Sequence, residues 1–244
     1  TLSPSSAASD VYKRQHVFCE KPMAITLEEA DHAIAAARSA GVVLQVGFNR
    51  RFARGFAAAL AAIAAGEIGT PQLIRSLTRD PSPLRDPSGI PPWTIYLETL
   101  IHDFDTLLHC NPGAKPVEVY AIADALVRPD FKDKGLLDTS VVTIRFDNGA
   151  IAVADASFEA VYGYDVRAEV FGSNGMFQMG NINVNNCVRY GAGGIAIETS
   201  RQDTDLLAEA YVAELSEFVR CAASGEPPRA TGEDARNALE IALA

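Results

Sequence analysis

The stretch from His16 to Phe48 confines this chain to one kind of beginning. His16-Val-Phe-Cys19 is a short apolar run that suits a buried strand, and Val42 to Phe48 (VVLQVGF) is a second. Between them Thr26-x-x-Glu29 is a capping box, whose hydroxyl and carboxylate satisfy orphan amides at a helix start. The helix runs to about Ala40, with Leu27, Ala30, Ala33, Ile34 and Ala37 on one face and Gly41 as its stop. Strand, helix and strand with joints this short make a βαβ unit, so the two strands are expected to be parallel.

The residues before it read differently. Thr1 to Gln15 is polar and aperiodic, like translated adaptor sequence left on an assembled or cloned fragment, or an ordinary disordered tail. Residues 1–15 are therefore kept apart from the fold, and 16–48 form a first unit.

From Asn49-Arg50-Arg51-Phe52 onward the grammar changes. An alanine-rich helix (Phe56 to Ala65) leads to a strand near Gln72 to Thr78, then a Pro-rich loop from Asp80 to Pro92. A helix from about Ile95 to His109 ends at Asn111-Pro112-Gly113. Val117 to Ala123 alternates as a strand, and Thr139–Phe146 and Ala150–Phe158 flank the hairpin signal Asp147-Asn148-Gly149. Val166–Phe171 and Met176–Met179 pair around Ser173-Asn174-Gly175. A long helix over about Leu206 to Ala223 and a last one from about Glu233 complete the chain. Residues 49–244 thus read as an α/β domain with a large, mainly antiparallel sheet, after a remnant of a Rossmann-type unit. The last helix reaches Ala244 without a stop signal, which reads as truncation.

Composition narrows the partners. A net charge of −10 repels phosphate backbones, so nucleic acid is not expected. The most apolar alanine stretch is too short to cross a bilayer, and the four scattered cysteines have neither metal-ligand nor disulfide-framework spacing. Reduced cysteines point to the cytoplasm.

Several residues are candidates for chemistry. Lys21 follows a strand end, where open α/β sheets bind ligands, although an isolated loop lysine has the same sequence signature. Glu98, His102 and Asp105 are spaced i, i+4 and i+7, on one face of a helix. A carboxylate beside an imidazole orients the ring and stabilises its charged form. The same spacing also describes a surface ion pair worth about 0.3–0.5 kcal/mol. No second histidine has helpful spacing, so a metal site is not expected. Arg50-Arg51 suits either a phosphate or ribose contact or an interdomain ion pair. Gly191-Ala-Gly-Gly194 reads as a flexible turn, not a phosphate loop.

Taken together, HVFCEKPMAITLEEAD, VGFNRRF, TRDP, LIHDFD, YGYDVRAEVFGSNGMF, AYVAELSEFV and EDARNALEIALA resemble the Gfo/Idh/MocA oxidoreductases, nearest the inositol dehydrogenase branch. The resemblance covers essentially all of 16–244. It implies a Rossmann domain binding NAD or NADP, and a C-terminal α/β domain whose sheet often joins subunits into dimers or tetramers. It also implies hydride transfer to or from a carbinol carbon of a cyclic polyol or sugar. Carried over, Lys21 lies near nicotinamide ribose and substrate, and His102 takes the hydroxyl proton. Glu98 stands where inositol dehydrogenases usually carry aspartate. Asp80, Tyr164 and Trp93 become substrate-contact candidates, and Glu20, Lys21 and Arg51 cofactor-contact candidates.

The departures bear on substrate. Glu98 is one methylene longer than aspartate, and a displacement of about 1 Å in a site can cost on the order of a hundredfold in rate. Pro91-Pro92-Trp93-Thr94 replaces a glycine-rich approach, and Leu100 a threonine. The 244 residues contain no Gly-x-Gly-x-x-Gly turn. The expectation is therefore a fragment of a dehydrogenase, inactive alone, with a non-catalytic sugar-binding or oligomerisation domain as the alternative. A metal-dependent hydrolase or isomerase using His102 is a third reading, hard to reconcile with Lys21.

Overall fold

A computed structural model describes residues 15–81 and 94–244. Strand β1 (Val17–Cys19), helix α1 (Leu27–Ala40) and strand β2 (Leu44–Val46) form the βαβ unit, with Val17 beside Leu44 and Cys19 beside Val46 in parallel register. The strands are shorter than the apolar runs that announce them. Thr26 caps α1 by accepting the Glu29 amide at 3.2 Å, and Gly41 ends it at φ 63°, a conformation that costs glycine little. The reciprocal half of the capping box is displaced by one residue: Glu29 accepts from the Ile25 amide.

A 3₁₀ turn (Asn49–Phe52) and helix α2 (Arg54–Ala64) lead to strand β3 (Pro71–Arg79). A π-helical segment, Ile95–Leu100, runs directly into helix α3 (Ile101–His109). Strands β4 (Pro116–Asp124), β5 (Thr139–Phe146), β6 (Ile151–Ser157), β7 (Asp165–Gly172) and β8 (Gly175–Asn181) join β3 in a six-stranded sheet of order β4-β5-β6-β3-β7-β8. The predicted hairpins over Asp147–Gly149 and Ser173–Gly175 form, and Gly149 adopts φ 89°. The sheet is mixed rather than wholly antiparallel, because β3 and β6 run parallel, Leu73 beside Ile151 through Arg79 beside Ser157.

The buried face of this sheet is built from small residues. Ala152, Ala154 and Ala156 on β6 and Ala168 on β7 leave room for the π segment and α3 to press Leu100, Ile101, Phe104 and Leu107 against the strands. The opposite face stays open, with Leu73, Val141, Ile151, Phe171 and Met176 exposed. Gly191-Ala-Gly-Gly194 does follow a strand: it turns the small hairpin of β9 (Val188–Gly191) and β10 (Gly194–Ile197).

The long terminal helix region divides into a single turn (Asp203–Leu206) and helix α4 (Ala208–Ser224). Helix α5 (Gly232–Leu243) starts at a capping box of Thr231 and Asp234 that the sequence reading passed over. Here the chain doubles back. Helix α5 packs on both α1 and α3, α4 packs on the 3₁₀ turn, and the Val46 amide donates to Ala230 O at 3.0 Å. Residues from both ends of the chain therefore share one core around Val46, Phe48, Ala238 and Leu239.

Candidate active site

The C-terminal end of β1 places Glu20 and Lys21 at the rim of a cavity of about 300 Å³. The Lys21–Pro22 peptide bond is cis. A Cβ at Gly47 would lie 2.6 Å from Glu20 Oε2, so a side chain there would push the Glu20 carboxylate aside. Partial desolvation raises the pKa of Glu20, against the charge and backbone N–H of Lys21, which lower it. Lys21 Nζ donates to Glu98 O at 2.6 Å and to Glu98 Oε2 at 3.0 Å.

That pairing corrects the sequence expectation for the helix. Glu98 and His102 both border the cavity, the first from the π-helical segment and the second from α3, whereas Asp105 is not part of its wall. Glu98 turns to Lys21, His102 lines the cavity, and Asp105 is buried against Arg51. Among the described residues no acid orients the imidazole in the way the spacing implied, and His102 Nδ1 is buried without a hydrogen-bond partner. The ring instead packs edge-on to Phe48, centroids 5.8 Å apart at 81°. Burial, with the charges of Lys21 and Arg50, holds the imidazole pKa well below its usual value, so the ring is neutral at physiological pH.

Arg51 is the second correction. It does not line the cavity and is not placed to hold a cofactor. Its guanidinium forks onto both oxygens of Asp105, donates to Asp234 Oδ2 at 3.0 Å and to the Arg229 carbonyl, and is 4% exposed. These partners come from α3 and from α5, so Arg51 ties the two ends of the chain together. Of the two readings of the Arg-Arg pair, the ion pair is the one found for this residue, but its partners lie within residues 49–244 rather than across the two expected units. Arg50 does border the cavity, but its donors go to Asp103 Oδ1 at 2.7 Å and Thr78 Oγ1 at 2.5 Å. Asp103, fully buried, also accepts from Ser76 and Thr78, which converts a buried charge into a satisfied network.

Asp80 and Tyr164, far apart in sequence, meet in the cavity wall: Tyr164 Oη donates to Asp80 Oδ2 at 2.9 Å. Burial and the Asp80 charge raise the tyrosine pKa, so the phenol stays protonated. Trp93 lies outside the described residues. The sequence reading missed a second hydroxyl–carboxylate pair in the wall, Tyr211 Oη to Asp203 Oδ2 at 2.6 Å, as well as Asn49, Thr99 and Phe158. Tyr211 opens the AYVAELSEFV segment and Asn49 stands in FNRRF, so both were within recognised motifs; Asp203 carried no signal of its own. Among the described residues, no three His, Cys, Asp or Glu side chains cluster as metal ligands.

The cavity thus sets a lysine, a neutral imidazole and two tyrosine–carboxylate pairs around a space sized for a small polyhydroxylated ring. Residues 6–48 match the oxidoreductase family with an NAD-binding Rossmann fold, and residues 56–178 match the GFO/IDH/MocA C-terminal domain. An uncharacterized oxidoreductase of Bacillus subtilis, YrbE, is 44% identical over 71% of the chain, which spans about half (52%) of that relative. A myo-inositol 2-dehydrogenase of Thermotoga maritima is 37% identical, with 95% of this chain and 69% of the relative covered. The crystal structure of a scyllo-inositol dehydrogenase from Lactobacillus casei with NAD(H) and scyllo-inositol superimposes with a TM-score of 0.88 at 26% identity, covering 99% of this chain and 73% of that one.

Proposed function

The chain belongs to the GFO/IDH/MocA oxidoreductase family, and from that premise we propose that it carries the substrate site of a nicotinamide-dependent dehydrogenase acting on a secondary alcohol of a cyclic polyol, an inositol first among them. The observation that carries this reading is the meeting of Lys21, from the βαβ unit, with His102, from the helix over the sheet, in one cavity lined by Asp80 and Tyr164.

The strand ends fit the ribose–nicotinamide end of a dinucleotide. Lys21 offers a cationic donor and Glu20 an acceptor at the C-terminal edge of two parallel strands, the usual ligand position in open α/β sheets. When bound, such a cofactor supplies the hydride acceptor. The side chains do the rest. Asp80, Tyr164, Asp203 and Tyr211 orient the ring by its hydroxyls, with neighbouring oxygens available as donor and acceptor. Lys21 spends two N–H groups on Glu98 and keeps one for the reacting hydroxyl. His102, held neutral, accepts the hydroxyl proton at an imidazole nitrogen, and the adjacent Lys21 charge stabilises alkoxide character on the same oxygen. Glu98 serves as the residue that positions Lys21.

Nothing in the 244 residues supplies a Gly-x-Gly-x-x-Gly turn, so we place pyrophosphate binding outside their means and expect the isolated chain to turn over poorly. That same feature favours the alternative of a polyol-binding module without catalysis. We further place the open sheet face as the contact between subunits and the cytoplasm as the compartment.

The deciding experiment follows NADH absorbance over a panel of inositols and sugars. It compares this chain with a chimera joining it to the part of the Thermotoga relative that the alignment leaves uncovered. Turnover by the chimera that His102→Ala abolishes supports the dehydrogenase. A folded chimera that binds inositol and NAD yet forms no NADH supports the binding module.

A further inference from the structure

Glu214 lies on the inner side of α4, 1% exposed, and its Oε1 is buried with no hydrogen-bond partner. Gln45 of β2, wholly buried, touches it: Gln45 Nε2 donates to the backbone oxygen of Glu214 at 2.9 Å. That bond fixes the direction of the amide and leaves Gln45 Oε1 buried and also without a partner. Two orphaned acceptors on two touching residues form a costly arrangement if both remain acceptors. A carboxylate has only acceptors, whereas a carboxylic acid has one donor to give.

The charges around Glu214 decide which form is present. From the end of β1 it faces the Glu20 carboxylate, of like sign. On its own helix, Tyr211 donates to Asp203, and Glu217 is held by the backbone N–H and the guanidinium of Arg229 at 2.8 and 2.5 Å. From the 3₁₀ turn, Arg50 is committed to Asp103, and Arg51 to Asp105 and Asp234 of α5. From β2 comes only the Gln45 amide. Among the described residues no cation answers Glu214. Glu20, by contrast, has the charge and the backbone N–H of Lys21 beside it. Of the two carboxyls, Glu20 is the one that can carry a charge.

We propose that Glu214 is a neutral carboxylic acid in the folded protein, and that it is a positioning residue for the cavity: its proton, given to Gln45, seats α4 against β2 and leaves Glu20 as the charged member of the Glu20–Glu214 pair. Tyr211 stands one turn earlier on α4, and Tyr211 and Glu20 both line the cavity, so the seating of this helix sets the distance between two of its walls. Burial and the Glu20 charge support the assignment by pushing the Glu214 pKa up to about 8. The inference stands whether or not the cavity turns over a polyol.

The sign of the pH effect follows. Unfolded, Glu214 ionises near 4.5; folded, near 8. Between those values the unfolded chain gives up a proton that the folded chain keeps, so stability falls as pH rises through the window and levels off above it.

The test uses the 244-residue chain. Infrared difference spectra are expected to show a neutral carboxylic carbonyl band at neutral pH that titrates away near pH 8 and is missing in Glu214→Gln. Glu214→Gln keeps a donor for Gln45, so its stability is expected to lose the decline between pH 4.5 and 8, and it should exceed the parent at the upper end. Hydrogen exchange along Ala208–Ser224, corrected for intrinsic rates, should rise with pH in the parent and not in the variant. Should Glu214→Gln fail to fold, Glu20→Gln decides: a band that survives, or that titrates away at a lower pH now that the Glu20 charge is gone, belongs to Glu214, and one that is missing at every pH above 5 belongs to Glu20 and overturns the proposal. A parent chain with no neutral carboxyl band, or a Glu214→Gln chain with an unchanged pH slope, overturns it as well.

Discussion

Lys21 and Glu98 are joined twice, through the side-chain carboxylate at 3.0 Å and through the backbone carbonyl at 2.6 Å. The second bond does not depend on the residue at 98. The carboxylate is about half exposed, and ion pairs of that kind contribute at most about 1 kcal/mol. Glu98→Gln is therefore expected to move the unfolding free energy by less than about 1 kcal/mol and to leave Lys21 in the cavity. In the chimera it should retain clearly more inositol turnover than His102→Ala. Equal losses would restore Glu98 to the role of acid partner for the imidazole.

Arg51 makes the opposite case. Its fork onto Asp105, with Asp234 as a second partner, is almost fully withdrawn from water. Arg51→Ala leaves Asp105 buried without its cation and should destabilise by about 3–5 kcal/mol in denaturant unfolding. Arg51→Lys should recover only part of that, since an ammonium cannot span both carboxylate oxygens. A well-folded Arg51→Ala chain with weakened NAD binding would return Arg51 to the cofactor.

His102 is buried neutral, with its folded pKa depressed well below the usual value near 6.5. The unfolded chain then binds a proton that the folded chain refuses, so this group contributes stability above about pH 6.5 that is lost as pH falls below it. His102→Gln should flatten the acid side of the stability curve. In the chimera, the acid limb of turnover should lie below the ordinary imidazole range; a limb at or above that range would mean the base is another group.

Phe171 sits in an apolar row across the open face. Ile151, Leu73, Phe171 and Met176 are register neighbours on β6, β3, β7 and β8, each of them at least 41% exposed. This row is the surface proposed above as the contact between subunits. Phe171→Glu should shift the sedimentation behaviour to monomer and leave the unfolding midpoint of the monomer nearly unchanged. A parent chain that is already monomeric at high concentration would remove this face from consideration.

The parts that were legible beforehand rest on short-range chemistry. Thr26 and Gly41 bracket α1 because a hydroxyl cap and a left-handed stop act within a few residues. Asp147-Asn148-Gly149 closes its hairpin for the same reason. The convergence of Asp80 with Tyr164 was anticipated through the resemblance, not through any local rule. What stayed hidden required packing: the π-helical segment that carries Glu98 to Lys21, the return of α5 onto α1, and the entry of Asp203 and Tyr211 into the cavity.

By itself the sequence determined the elements, the parallel βαβ start, the hairpins and the family, since each follows from periodicity, turn residues and ordered motifs. Only the tertiary structure decided how the charges pair. Lys21 faces the carbonyl and the carboxylate of Glu98, Arg51 faces Asp105, and Glu214 faces Gln45 and Glu20. A side chain's partner, and so its protonation, depends on which distant segment is folded against it and on how much water is excluded there. Neither quantity is a property of the local sequence.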